Sequence, residues 1–108
     1  MLSVHVPDLL IYEFSNSLRF KKMLVPEDVT ASLRSLWTLG LNIHEVDPVL
    51  TESMIHTSYE NGISVYDAAF VTLSRHIAAT LVTADRTLYG KVKKYCAVIL
   101  LSDVGVNP

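Results

Sequence analysis

The chain has 108 residues and a mass of 12.0 kDa, enough for one hydrophobic core and too few for two, so residues 1–108 are read as a single domain. Nine Lys and Arg against eleven Asp and Glu give a formal net charge of -2, which excludes strong whole-molecule attraction to nucleic acid. A hydrophobic fraction of 50% and a mean hydropathy of +0.33 are high for so small a globule and imply apolar surface shared with a partner.

Pro7-Asp8 is a helix-opening signal, because proline at the first helical position loses no useful donor and an acid there meets the positive end of the dipole. It predicts a helix over about 7 to 22. Pro26-Glu27-Asp28 repeats the signal, Val29, Leu33, Leu36 and Trp37 recur at helical spacing, and Gly40 supplies a stop, predicting a helix over roughly 27 to 39. Asn42 to Val46 reads as a strand. Helices follow from about Pro48 to Glu60, ended by Asn61-Gly62, and from about Val65 to Ile77, introduced by Ser64. Leu81 to Thr83 and Val98 to Leu101 are continuous apolar runs, the pattern of parallel strands covered on both faces, with a short or broken helix between Arg86 and Tyr95. The alternation is that of an α/β architecture.

Cys96 stands alone, which excludes an internal disulfide or a cysteine zinc cage, suits a reducing compartment and reads as core filler. The longest apolar runs are far below the ~18 residues of a membrane span, and no basic segment with a long apolar stretch opens the chain. The expectation is a soluble cytoplasmic protein.

Three carboxylates lie in apolar sequence: Glu13 in Leu9-Leu10-Ile11-Tyr12-Glu13-Phe14, Asp67 in Val65-Tyr66-Asp67-Ala68-Ala69-Phe70, and Asp85 closing Leu81-Val82-Thr83-Ala84-Asp85. Acids so placed are either capped and paired or gathered around a divalent cation, and their recurrence in three segments favours gathering. Asp85 falls at the carboxyl end of a strand, where open parallel sheets expose ligand sites, and equally at the N-cap of the next helix. Thr83, two residues back, shares its face and could orient a metal-bound water. Asp67 matches a capping-box pattern with Ser64. Glu13 has only Leu9, Leu10, Asn16 and Ser17 one turn away, so no helical salt bridge is available to it. Facing the sheet, it would need a cation or a proton; facing solvent, it would leave Ile11, Phe14 and Leu18 as the core stripe. Asn16 could hydrogen-bond Glu13 and fix its rotamer.

The segments Val6-Pro7-Asp8-Leu9-Leu10-Ile11-Tyr12-Glu13 through Asn16, Val65 through Phe70, and Leu81 through Leu88 resemble, in order and spacing, successive motifs of PIN-domain nucleases, especially the VapC-type toxins of toxin-antitoxin pairs. The resemblance spans essentially the whole chain. It implies a PIN-like parallel sheet flanked by helices and a Mg²⁺- or Mn²⁺-dependent endoribonuclease. Hard cations select carboxylate oxygen, keep several waters, acidify one into a nucleophile and offset charge on the phosphodiester transition state. Carried over residue by residue, Glu13, Asp67 and Asp85 match the catalytic, metal-binding acids, with Thr83 and Asn16 in support. An antitoxin-type protein partner is implied as well.

One departure stands out. The family normally begins with a central strand ending in an aspartate, and here only residues 1–4 precede the first matching motif. The first family strand and one metal-binding acid are therefore expected to be absent. Asp8 does not replace it, lying about 140° around the helix from Glu13, and Asp103 shows no match. The expectations are activity weakened by the lost ligand, and a gap in the sheet closed by the remaining strands or by a second copy in a homodimer. A catalytically inactive PIN-like binding or dimerisation module is the alternative, as is a chain that is a fragment of a longer product.

Seven of the nine basic residues form two clusters, Arg19-Lys21-Lys22 and Arg86-Lys91-Lys93-Lys94. They could line an RNA phosphate path, although helix ends commonly carry such cations. His5, His44, His56 and His76 show no zinc-type spacing and read as packed or surface residues, and Tyr12 and Trp37 as core or interface.

Overall fold

The computed structural model describes residues 3–105. Met1, Leu2 and residues 106–108, which the single-domain reading includes, lie outside the described residues. The architecture is α/β, with five α-helices and four short strands paired in parallel among the described residues. The chain divides into two compact units, Met1–Val46 and Asp47–Pro108.

In the first unit, β1 (His5–Pro7) pairs in parallel with β2 (Asn42–His44), and the crossover carries α1 (Leu9–Arg19) and α2 (Pro26–Trp37). The register sets His5 against Asn42, Val6 against Ile43 and Pro7 against His44. Strand β1 corrects the sequence expectation of a helix from residue 7. Pro7 is the last strand residue, Asp8 takes helical dihedrals without a side-chain cap, and the helix proper begins at Leu9. Proline at a strand end sacrifices no ladder bond, and the next amide compensates: Asp8 N donates to the His44 carbonyl at 2.9 Å. In α1 the half-buried stripe is Ile11, Phe14, Ser15 and Leu18, and Ser15 Oγ donates back to the Ile11 carbonyl at 2.6 Å. Helix α2 starts as its Pro-Glu-Asp signal predicts, with the Asp28 carboxylate accepting from Val25 N at 3.1 Å. Neither helix buries a residue fully, and Val6 is the unit's buried hydrophobic strand residue.

The second unit contains α3 (Pro48–Asn61), α4 (Val65–His76), β3 (Leu81–Thr83), α5 (Arg86–Val92) and β4 (Val98–Leu100), followed by a 3₁₀ turn, Leu101–Asp103. Helix α3 is capped by the Asp47 carboxylate, which accepts from Leu50 N at 2.7 Å, and it ends on Gly62 in the left-handed region at φ +61°. Helix α4 closes with a double wrap: Ala78 N donates to the Arg75 carbonyl and Ala79 N to the Ser74 carbonyl at 2.8 Å. Ala78 occupies the left-handed position, φ +54°, that such closures favour glycine for.

The core of this unit is Val71, Leu81, Leu88 and Val92, with Ile63, Phe70, Tyr95, Cys96 and Val98 packed on it. A chain of hydroxyls crosses the buried side of α3 and α4, from Thr72 Oγ1 to Thr57 Oγ1 at 3.1 Å and on to Tyr95 OH at 3.3 Å, so each buried oxygen has a partner. Cys96 is half-buried core filler, as expected; burial pushes its thiol up from the ordinary value, against opposing influences from a Ser74 hydrogen bond and the Arg75 charge. The apolar runs of β3 and β4 depart from expectation on one face. Leu81 is buried, but the paired residues Val82 and Ile99 remain 46% and 40% exposed, so the strands are not covered on both sides.

Candidate functional site

Strand β3 and the start of α5 position the last acidic motif. Leu81 anchors the strand in the core, and Leu88, buried one turn into α5, anchors the helix, so the three residues Thr83-Ala84-Asp85 are held between two packed points. Asp85 is the N-cap of α5: its Oδ1 accepts from Thr87 N at 2.9 Å and from Leu88 N at 3.0 Å. Both bonds fall on one oxygen, which leaves Oδ2 for another ligand among the described residues. Thr83 Oγ1 accepts from Asp85 N at 3.1 Å, which uses one of its two lone pairs to shape the turn and leaves its O–H available as a donor.

Asp67 lies in the first turn of α4. Ser64 Oγ accepts from its backbone N at 3.0 Å, the first half of a capping box, while the Asp67 carboxylate is not tied to the Ser64 amide. It lines a cleft of about 220 Å³ with Phe70, Leu81, Val82, Thr83, Ala84 and Leu88. Two sequence-predicted residues, Asp67 and Thr83, thus share one cleft in this unit, and Asp85 follows directly from its wall. Capping and ligation do not compete here, because the caps consume one carboxylate oxygen of Asp85 and none of Asp67.

Glu13 occupies the exposed side of α1, and Asn16 is exposed with it. Of the two orientations open to Glu13, the helix takes the solvent-facing one; Asp67 is half-buried and Asp85 exposed. The stripe named for that orientation, Ile11, Phe14 and Leu18, is the half-buried side of α1. Within the second unit, no three His, Cys, Asp or Glu side chains among the described residues stand close enough to hold an ion together.

Of the basic residues, Arg19 lies over the Phe20 ring at 4.9 Å and Lys91 Nζ donates to the Gly62 carbonyl at 3.0 Å, a structural tie between α5 and the end of α3. Lys21, Lys22, Arg86, Lys93 and Lys94 are exposed. Tyr12 and Trp37 are exposed by 72% and 60%, which excludes the core role for both; they flank a cleft of the first unit with Ile11, Ile43, Asp8 and Glu45. The histidines held one surprise. His5 and His44, 39 residues apart, meet across β1 and β2 with Nδ1 of one 2.8 Å from Nε2 of the other. The sequence reading missed this pair because it missed β1, and with it the register that joins them.

No helix among the described residues is long and apolar enough to cross a membrane. No family model matches the chain. It is 34% identical over 93 residues to the protein named Ribonuclease VapC3 of Pyrobaculum aerophilum, a match that covers 82% of this chain and 70% of that one. A crystal structure of a Pyrobaculum aerophilum protein superposes with a TM-score of 0.70 at 28% identity, over 91% of this chain and 70% of the other. Sequence identity at this length, a shared fold and the ordered acidic motifs agree: the chain belongs to the VapC-type PIN-domain nuclease family.

Proposed function

We propose that the chain is a divalent-metal-dependent endoribonuclease of the toxin-antitoxin type that uses Mg²⁺ or Mn²⁺, with Asp67, Asp85 and Glu13 as its catalytic, metal-binding acids. The observation that carries this reading is the 34% identity to a relative whose name is that of a ribonuclease, extending over 82% of this chain. The donor set fits a hard cation: carboxylate oxygens without imidazole or thiolate, with Asp85 Oδ2 uncommitted beside a cleft that Asp67 and Thr83 line. Two carboxylates supplemented by water and substrate phosphate suffice for Mg²⁺, so Asp67 and Asp85 of the second unit are chemically adequate ligands.

When bound, the cation supplies charge against the scissile phosphodiester and acidifies a water. The chain's own residues do the rest. Asp85 is held in one rotamer by its two cap bonds, so it meets the ion without reorganising. The Thr83 hydroxyl accepts from Asp85 N and lines the cleft, so its O–H is available to donate to a ligand oxygen there. Lys93, Lys94, Arg86, Lys21 and Lys22, all exposed, supply positive charge for RNA phosphates, with Arg19 and Lys91 adding to it from their stacked and hydrogen-bonded positions.

The reading includes weakened turnover. It also includes a cytoplasmic location, an antitoxin-type protein partner and a homodimer in which a second copy covers Val82 and Ile99, the apolar pair that β3 and β4 leave open. A sedimentation experiment giving a monomer at all concentrations would remove the homodimer.

The competing reading is a catalytically inactive binding or dimerisation module, for which the exposed apolar pair Val82 and Ile99 speaks. RNA cleavage assayed with Mg²⁺, with Mn²⁺ and after chelation separates the two. Cleavage that requires either ion and returns on re-addition supports the nuclease; ion binding without turnover supports the module.

A further inference from the structure

The imidazoles of His5 and His44 belong to no part of the acidic site, yet they are arranged as ligands. His5 Nδ1 and His44 Nε2 face each other at 2.8 Å, with ring centroids 5.1 Å apart and planes tilted by 40°. The parallel register produces this: His44 pairs with Pro7, whose compact ring leaves the His44 side chain free to lean toward His5, two residues earlier on the same face. The opposite face carries Val6 and Ile43 toward the apolar side of the unit.

Two facing ring nitrogens at hydrogen-bond distance share one proton, one nitrogen donating and the other accepting. The outer nitrogen of His5, Nε2, lies 3.3 Å from Ser3 Oγ. With Nε2–H donating to that hydroxyl, His5 Nδ1 presents a lone pair inward. This is the arrangement in which metal-binding histidines are usually held, the distal N–H anchored to an oxygen and the proximal nitrogen free.

We propose that His5 and His44 form a metal site of their own, taking a borderline transition cation such as Zn²⁺ or Ni²⁺ through His5 Nδ1 and His44 Nε2. Zinc–nitrogen bonds of about 2.0–2.1 Å at a tetrahedral angle set the two nitrogens about 3.3 Å apart, so the rings need open by only about half an ångström once the shared proton leaves. His5 is exposed and His44 half-buried, which admits the waters that complete the shell. Nitrogen ligands select against Mg²⁺, whereas the acids select for it, so the two sites sort cations by ligand chemistry. Because one ligand comes from each strand, the bound ion ties β1 to β2, whose ladder is three residues long.

The inference does not rest on the ribonuclease reading, and its test needs no RNA. The full chain is titrated with Zn²⁺, and separately with Ni²⁺, by calorimetry in excess Mg²⁺, with thermal unfolding followed in parallel. The expected result is binding that survives Mg²⁺, raises the melting temperature, and weakens roughly tenfold or more in His5→Gln and in His44→Gln. His56→Gln, His76→Gln and Cys96→Ser should leave it intact. Circular dichroism of each variant confirms folding, and His5, being exposed, is replaceable without opening the core. Binding unchanged in both His5→Gln and His44→Gln, binding abolished by excess Mg²⁺, or no binding at all would each overturn the proposal.

Discussion

Helix α4, which carries Asp67, buries six residues between Ala68 and Ser74, whereas α1, which carries Glu13, buries none. The same contrast holds for the flanking strands. Leu81 of β3 is part of a packed cluster with Val71, Leu88 and Val92, while the first unit's sheet contributes buried Val6 and Pro7 over helices that are at most half-covered. Asp67 and Asp85 therefore sit on backbone fixed by burial and caps, and Glu13 sits on backbone fixed mainly by its own helical hydrogen bonds. A side chain on a rigid element is preorganised for any ligand it takes, and one on a lightly packed helix loses more conformational entropy on binding, so under the proposed function Asp67 and Asp85 are the better-ordered acids.

Core truncation breaks this comparison most strongly. Val71→Ala removes two methyl groups from a fully buried position and should cost about 2 kcal/mol or more in denaturant unfolding. Leu18→Ala removes more carbon from a half-buried stripe and should cost less than that. Equal losses would show that the first unit is as tightly packed as the second.

Smaller effects sharpen the account of Asp85. Asp85→Ala loses the N-cap of α5 and should cost about 1 kcal/mol, whereas Asp85→Asn keeps an acceptor for Thr87 N and Leu88 N and should stay within a few tenths of the parent protein. The asparagine variant thus removes the charge without the cap, and stability measured for the pair separates the two roles. Ala78→Gly should stabilise by roughly 0.5 kcal/mol, since it relieves the left-handed backbone at the end of α4. A loss of stability there would mean that the closure is strained less than its dihedral indicates. Last, Lys93→Glu with Lys94→Glu should alter folding by no more than about 0.5 kcal/mol, because both are exposed, while lowering RNA affinity and flattening its salt dependence. Unchanged affinity and salt slope would reassign these lysines to plain solvation.

Much of the fold was readable because local signals agreed. Pro26 at the start of α2, Asp47 and Pro48 at the start of α3, Gly62 at its end and Ser64 before α4 each mark a boundary that the backbone observes. Strand β1 was not readable for the converse reason: Pro7-Asp8 is a genuine helix-opening pair, and only the long-range ladder to Asn42–His44 recruits His5–Pro7 into a strand. The acids were found by their apolar surroundings, yet those surroundings reported neighbours that pack inward and not burial of the acids themselves, as Glu13 shows. For Asp85 the two readings, cap and ligand, proved compatible, since capping occupies one oxygen. The His5–His44 contact left no mark in sequence because it depends on register alone.

The most direct test of the central claim is Mn²⁺ binding followed by electron paramagnetic resonance in the parent protein and in Glu13→Gln, Asp67→Asn, Asp85→Asn and His5→Gln. The proposed function predicts Mn²⁺ binding that weakens roughly tenfold or more in Asp67→Asn and in Asp85→Asn, is lowered in Glu13→Gln, and is unaffected in His5→Gln. Mn²⁺ affinity that is indifferent to all three acids would contradict it.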